Sequence, residues 1–172
     1  MVLREKVILE LVKNAKQSDS RLAKKLGCAQ STVFRIRKQL EKDNVIWGYS
    51  TIVDWTKLGY SMYVITIRTK PPTKEGTGLV VKGIIAENAK KFGVSLLDIM
   101  MLFGEFEWCL LVAAPKEQNV HNYINFLRER YHKFIEGRPL HAKVMFNCVQ
   151  QGQKNPTLDD LEKLGLETTS SK

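Results

Sequence analysis

The chain has 172 residues, 44% apolar and 26% charged, which admits one medium domain or two small ones with modest cores. No apolar run approaches the roughly 20 residues of a membrane-spanning helix, and the start Met1-Val2-Leu3-Arg4-Glu5-Lys6 is charged too early for a signal peptide, so a cytoplasmic protein with no membrane partner is expected. The net charge of +9 is uneven: residues 1–50 hold 11 Lys/Arg against 5 Asp/Glu, residues 51–150 hold 13 against 9, and the remainder 3 against 4, which places a candidate nucleic-acid footprint at the N-terminus beside the plainer reading of a solvated lysine-rich surface.

In chain order, Leu3, Val7, Leu11 and Ala15, flanked by Ile8 and Val12, make one apolar stripe on a helix over residues 2–15. Gln17-Ser18-Asp19-Ser20 breaks it and supplies N-cap residues. A short helix follows with Leu22, Ala23 and Leu26 inward, and Gly27 ends it. After the turn Gly27-Cys28-Ala29, a third helix runs from about Gln30 to Asp43 with Val33, Ile36 and Leu40 inward. Asn44 tolerates the left-handed conformation of a helix stop. Residues 45–53 read as a β segment with a turn or bulge at Gly48. Helix, helix, tight turn, helix and β wing make a winged helix-turn-helix over residues 1–53.

Residues 54–60 lose periodicity and read as a linker to a second domain over 61–150. There, Tyr60–Thr69 is a strand, 70–78 a loop, Leu79–Phe92 a helix stopped by Gly93, and Val94–Phe103 and Trp108–Ala114 a hairpin about Gly104-Glu105-Phe106-Glu107. Residues 117–135 read as a helix carrying Val120, Ile124, Leu127, Tyr131 and Ile135 on one face, with Gly137 at its end. Leu140–Gln150 alternates as a half-buried strand, with Leu140, Ala142, Val144, Phe146 and Cys148 on the apolar side. The order β-α-β-β-α-β is the ferredoxin-like arrangement, so the fold class is α+β. Its uncovered sheet face, carrying Met145 and Val149, would favour dimerisation. Residues 151–172 form a tail, with Leu158, Leu161, Leu164 and Leu166 at spacings that suit a short helix.

On the third helix, Gln30, Ser31, Thr32, Arg35 and Lys38 fall off the apolar stripe. Arg and Gln can pair bidentately with guanine and adenine edges, and Ser and Thr can reach bases or phosphates, so these five are the expected base-reading set on double-stranded DNA. Arg37, Lys42, Arg21, Lys24 and Lys25 are the expected phosphate contacts, which set affinity and salt dependence. Any one of these, taken alone, is also consistent with a solvated surface charge.

Leu22-Ala23-Lys24-Lys25-Leu26-Gly27, Ser31-Thr32-Val33, Leu40-Glu41, Val45-Ile46, Gly48-Tyr49 and Leu58-Gly59, with the turn Gly104-Glu105-Phe106-Glu107, resemble the Lrp/AsnC (leucine-responsive, feast/famine) transcription regulators over residues 2–150. The resemblance implies dimers through the C-terminal domain, assembly to octamers, and an amino-acid effector between dimers near that turn, where Glu105 or Glu107 would hold an amine and backbone amides near Gly104 a carboxylate. The same turn also reads as an ordinary hairpin with Phe106 between solvated carboxylates. The chain departs from the family in several places. Ala29 stands for the usual serine N-cap, Ile36-Arg37 inverts the usual basic-apolar order, and Asn44 replaces glycine. The 70–78 loop and the tail are longer.

No phosphate loop, nucleophile elbow or metal-spaced His/Cys cluster is apparent, so neither an enzyme nor a cofactor is expected. Cys28, Cys109 and Cys148 read as unpaired thiols, and His121, His132 and His141 as scattered surface or structural residues. Two alternatives stand beside the regulator: a sirohaem decarboxylase subunit on the same scaffold, and a ligand-sensing assembly module whose winged helix binds protein.

Overall fold

The computed structural model describes residues 1–70, 78 and 88–158, and divides the chain into two units: Met1–Val53 together with the chain from Asn147 onward, and Asp54–Phe146. The 70–78 loop, the helix expected over 79–92 and the tail helix fall largely or wholly outside the described residues.

The first unit is built on three helices, α1 (Leu3–Lys13), α2 (Asp19–Leu26) and α3 (Gln30–Lys42). Their inward stripes meet in one core of Val7, Leu11, Leu22, Ala23, Val33 and Leu40, with Ile8, Leu26 and Ile36 packed against it. Ser18 caps α2, its Oγ accepting from the Arg21 N–H at 3.2 Å. Gly27 closes α2 in the left-handed conformation that the turn into α3 needs. Asn44 stops α3 with φ +55°.

Residues 45–53 do not form the expected strand. The Val45 and Ile46 N–H groups both donate to the Leu40 carbonyl, so the chain wraps the C-terminus of α3 and then runs on without a ladder partner among the described residues, leaving Trp47 fully exposed. The β hairpin of this unit comes from the far end of the sequence: β5 (Val149–Gln150) pairs with β6 (Gln153–Lys154). The Gln153 side-chain amide donates to the Val12 and Lys13 carbonyls at the end of α1. The boundary expected at 150 therefore falls earlier, and the described start of the tail is part of the first unit.

The second unit opens with a 3-10 turn at Trp55–Leu58, where the Asp54 carboxylate accepts from the Thr56 N–H at 3.1 Å. The Thr56 hydroxyl above all, with that backbone bond as a smaller contribution, holds the Asp54 carboxyl below its ordinary pKa. Strands β1 (Ser61–Thr69), β2 (Ser95–Met101), β3 (Trp108–Ala114) and β4 (Ile135–Lys143) form one antiparallel sheet in the order β2-β3-β1-β4, the order of a ferredoxin-like βαββαβ fold. Of its helices, α4 is described at Asn88–Lys91 and α5 at Glu117–Arg130. The core joins Val120, Tyr123, Ile124 and Leu127 of α5 to Tyr63, Ile65 and Ile67 of β1 and Trp108, Leu110 and Val112 of β3. Burial pushes the Tyr123 hydroxyl up to about 12.

Three expectations change in this unit. Helix α5 ends at Arg130, and Ile135 opens β4 instead of closing the helix; Gly137 sits inside that strand at φ +68°, where the β1–β4 register slips. The apolar alternation of β4 faces the other way. Ile65 points to the helices and pairs with His141, so His141 takes the helix-covered side, while Leu140 and Ala142 lie on the open face. That open face carries Val64, Thr66, Cys109, Leu111, Met100 and Leu140, whereas Met145 lies beyond β4 and Val149 belongs to the other unit.

Candidate nucleic-acid interface

Helices α2 and α3, joined by the three-residue turn Gly27-Cys28-Ala29, form the helix-turn-helix pair. Because Val33 and Leu40 are fully buried, the helical period turns Gln30, Ser31, Arg35 and Lys38 to solvent, with Thr32 half-buried at the edge of that face. Ala29 provides no side-chain cap, and neither does Ser31, so the first turn of α3 presents backbone N–H groups without a side-chain partner. Arg35 has no ion pair among the described residues; Lys38 Nζ lies 3.0 Å from Glu41 Oε2, one turn along the same helix. Lys38, together with a hydrogen bond from the Tyr49 hydroxyl, holds the Glu41 carboxyl below its ordinary range. Phe34 is 53% exposed beside Arg35, an outward aromatic that polar-pattern reasoning passed over; its interruption of the polar face was the available signal.

Of the expected phosphate contacts, Arg21, Lys24 and Lys42 are exposed and without ion pairs among the described residues. Arg37 is not available. Its side chain is 15% exposed, its Nε lies 2.8 Å from Asp19 Oδ1, and its Nη2 donates to the Gln17 carbonyl at 2.9 Å. It ties α3 to the start of α2, with its guanidinium over the Tyr49 ring. Lys25 is also committed: its ammonium pairs with the Glu10 carboxylate on α1, which Lys13 meets from the other side at 2.9 Å.

These two lysines hold the Glu10 carboxyl below its ordinary value, Lys25 contributing most. A carboxyl depressed in the folded state adds stability that is present above its unfolded value and lost as pH falls through the folded one. Glu10→Gln is expected to flatten the acid limb of the stability profile of this unit, with little change in its shape near neutrality. An unchanged acid limb in urea unfolding would remove Glu10 from that account.

No protein-family model matches the chain. The HTH-type transcriptional regulator LrpA of Pyrococcus horikoshii is 40% identical over 70 residues, covering 40% of this chain and half the length of that relative. An uncharacterised HTH-type transcriptional regulator of Pyrococcus furiosus is 26% identical over 150 residues, covering 86% of this chain and 92% of the relative. An AsnC family transcriptional regulator from Agrobacterium tumefaciens superposes with a TM-score of 0.69 at 18% identity, over 94% of this chain and 99% of that one. The chain is thus similar in sequence to HTH-type transcriptional regulators and in fold to an AsnC family regulator. The solved neighbours also include a transcriptional regulator of Neisseria meningitidis in complex with L-Met, with a TM-score of 0.68 at 13% identity, over 94% and 99% of the two chains.

The turn that carries the Lrp/AsnC resemblance in the second unit is internally bonded. Arg68 on β1 reaches across to Glu105, Nη2 to Oε1 at 2.7 Å and Nε to the backbone carbonyl at 3.2 Å, and lies over the Phe106 ring. Glu107 accepts from the Thr69 N–H at 2.6 Å. Each carboxylate thus has one oxygen engaged, Glu105 Oε1 by Arg68 and Glu107 Oε2 by the Thr69 N–H, while Gly104 is open and the neighbouring Phe103 is fully exposed. No described helix is long and apolar enough to cross a membrane.

Proposed function

We propose that the chain is a sequence-specific regulator of transcription that binds double-stranded DNA as a homodimer in the cytoplasm. The observation that carries this is the two-sidedness of α3: Val33 and Leu40 are sealed in the core while Gln30, Ser31, Arg35 and Lys38 stand clear of it. In this reading the N-terminal half of α3 enters the major groove, with Arg35 and Gln30 reading base edges and Ser31, Thr32 and Lys38 beside them. Arg21, Lys24 and Lys42 hold phosphates and set register without choosing sequence. Dimerisation through the open sheet face of Val64, Leu111, Met100 and Leu140 would supply two reading helices to a two-fold site, and larger assemblies up to an octamer can follow from further contacts.

The neighbour solved with L-Met supports a second element, an amino-acid effector, and the Lrp/AsnC resemblance puts it near the turn Gly104–Glu107. Here a ligand amine at Glu105 would share the carboxylate with Arg68, which pairs with its Oε1.

The test is retention of genomic DNA fragments by the purified chain, with and without an amino-acid panel, at graded salt. Six to ten phosphate contacts per dimer lower the affinity by roughly 10³–10⁵ between about 50 and 200 mM salt. On the recovered operator, Arg35→Ala is expected to cost about 1–3 kcal/mol and to relax base preference, whereas Lys24→Ala weakens operator and random DNA alike. Salt-independent retention, or tetrapyrrole absorbance in the purified protein in place of DNA binding, would defeat the reading.

A further inference from the structure

Three side chains of the second unit converge at the junction of α5 and β4, away from the open sheet face and from the turn at Gly104. Glu117 and His121 are one helical turn apart on α5, and His141 comes from β4 on the side that the helices cover. The Nε2 atoms of His121 and His141 are 3.2 Å apart, His141 Nε2 is 3.2 Å from Glu117 Oε1, and His121 Nε2 is 3.7 Å from the same oxygen. The two imidazoles meet edge to face, at 81°.

Hydrogen bonding alone accounts poorly for this triangle. One proton can bridge the two Nε2 atoms only if the second nitrogen offers its lone pair, and that proton is then unavailable to the carboxylate. A single cation at the centre would use all three lone pairs at once. Zinc takes imidazole nitrogen and carboxylate oxygen at roughly 2.0–2.2 Å in tetrahedral geometry, which sets ligand atoms roughly 3.3–3.6 Å apart. The three separations here, 3.2, 3.2 and 3.7 Å, bracket that edge.

We propose that Glu117, His121 and His141 form a binding site for a divalent transition cation of borderline softness, with Zn²⁺ as its representative. The donor set of two imidazoles and one carboxylate selects against Ca²⁺ and Mg²⁺, which take oxygen ligands. The side chains of Glu117 and His121 are 57% and 39% exposed, so a cation reaches the site from solvent and the fourth tetrahedral position is open to water. The bound ion would clip the first turns of α5 to the edge strand of the sheet.

The test uses the full-length chain without an affinity tag, stripped with chelator and titrated with Zn²⁺ by calorimetry and with Co²⁺ by visible absorption. One ion per chain is expected, with the intense visible bands of tetrahedral cobalt. His121→Asn and His141→Asn should each weaken binding by roughly 100-fold or more, because even outer-shell partners are worth 10–100-fold. His132→Asn should leave it unchanged. Binding of normal affinity in both His121→Asn and His141→Asn would overturn the assignment, as would a thiolate-to-cobalt band placing the ion on Cys28, Cys109 or Cys148, or no binding at millimolar Zn²⁺. Should the histidine variants fail to fold, Glu117→Gln at the exposed rim decides: a loss of about tenfold or more is expected, and an unaltered affinity refutes the site.

Discussion

Arg37→Ala is expected to destabilise the helix-turn-helix unit by about 3 kcal/mol while leaving the salt slope of DNA binding unchanged. Its guanidinium and the Asp19 carboxylate are only 15% and 18% exposed, and Arg37 also supplies the donor for the Gln17 carbonyl. Removing one member of such a pair costs roughly 3–5 kcal/mol, because the remaining charge is left without compensation. The residual exposure places this case at the lower end of that range. Arg37→Lys should recover little, since an ammonium cannot meet the carboxylate and the carbonyl from one planar fork. Asp19→Ala in the Arg37→Ala background should cost less than the sum of the single changes. The comparison is Arg35→Ala, two residues away on the outward face, which is expected to alter stability by no more than about 0.5 kcal/mol. Urea unfolding that ranks the two arginines equally would disprove the strut.

Gly93→Ala should cost the second unit roughly 2–5 kcal/mol, from two sources that can be separated. Gly93 ends α4 at φ +71°, and a side chain there carries a left-handed penalty of roughly 1–2 kcal/mol. A Cβ at this position would also lie 2.9 Å from the Asn119 amide nitrogen, which donates to the Phe92 carbonyl at 2.7 Å. Displacing that amide forfeits a hydrogen bond at a half-buried carbonyl, worth about 1–3 kcal/mol when the acceptor is left unmade. Asn119→Ala removes both the obstacle and the bond. The double variant should therefore be more stable than the two single losses added together. Strict additivity in thermal unfolding would mean that the backbone conformation alone sets the cost.

The trihelical half of the fold was legible because its apolar residues recur at helical spacing and its stops, Gly27 and Asn44, have specific backbone chemistry. The sheet order followed from element order alone. What sequence could not supply was the third dimension of the same patterns. Alternation along β4 separates two faces but does not say which one the helices cover; that is fixed by the pairing of Ile65 with His141. The stretch 45–53 has the composition of a strand yet pairs with no other segment among the described residues. Arg37 and Arg35 look alike in sequence, yet a 200° step around the helix puts one against Asp19 and leaves the other in solvent. The histidines looked scattered because the turn of α5 and the register of β4, neither readable from spacing, are what bring them together.

The hairpin at Val149–Lys154 also bears on how the chain is made. A polypeptide emerges from the ribosome in order, and domains generally fold as they emerge. Here the helix-turn-helix half begins at Met1 but includes residues beyond Asn147, whereas the sheet-bearing half is one unbroken run from Asp54 to Phe146. The middle of the message can thus be finished while the leading helices still await the amide of Gln153 at the end of α1. A nascent protein halted before that point would have its sheet complete and its helical trio unfastened.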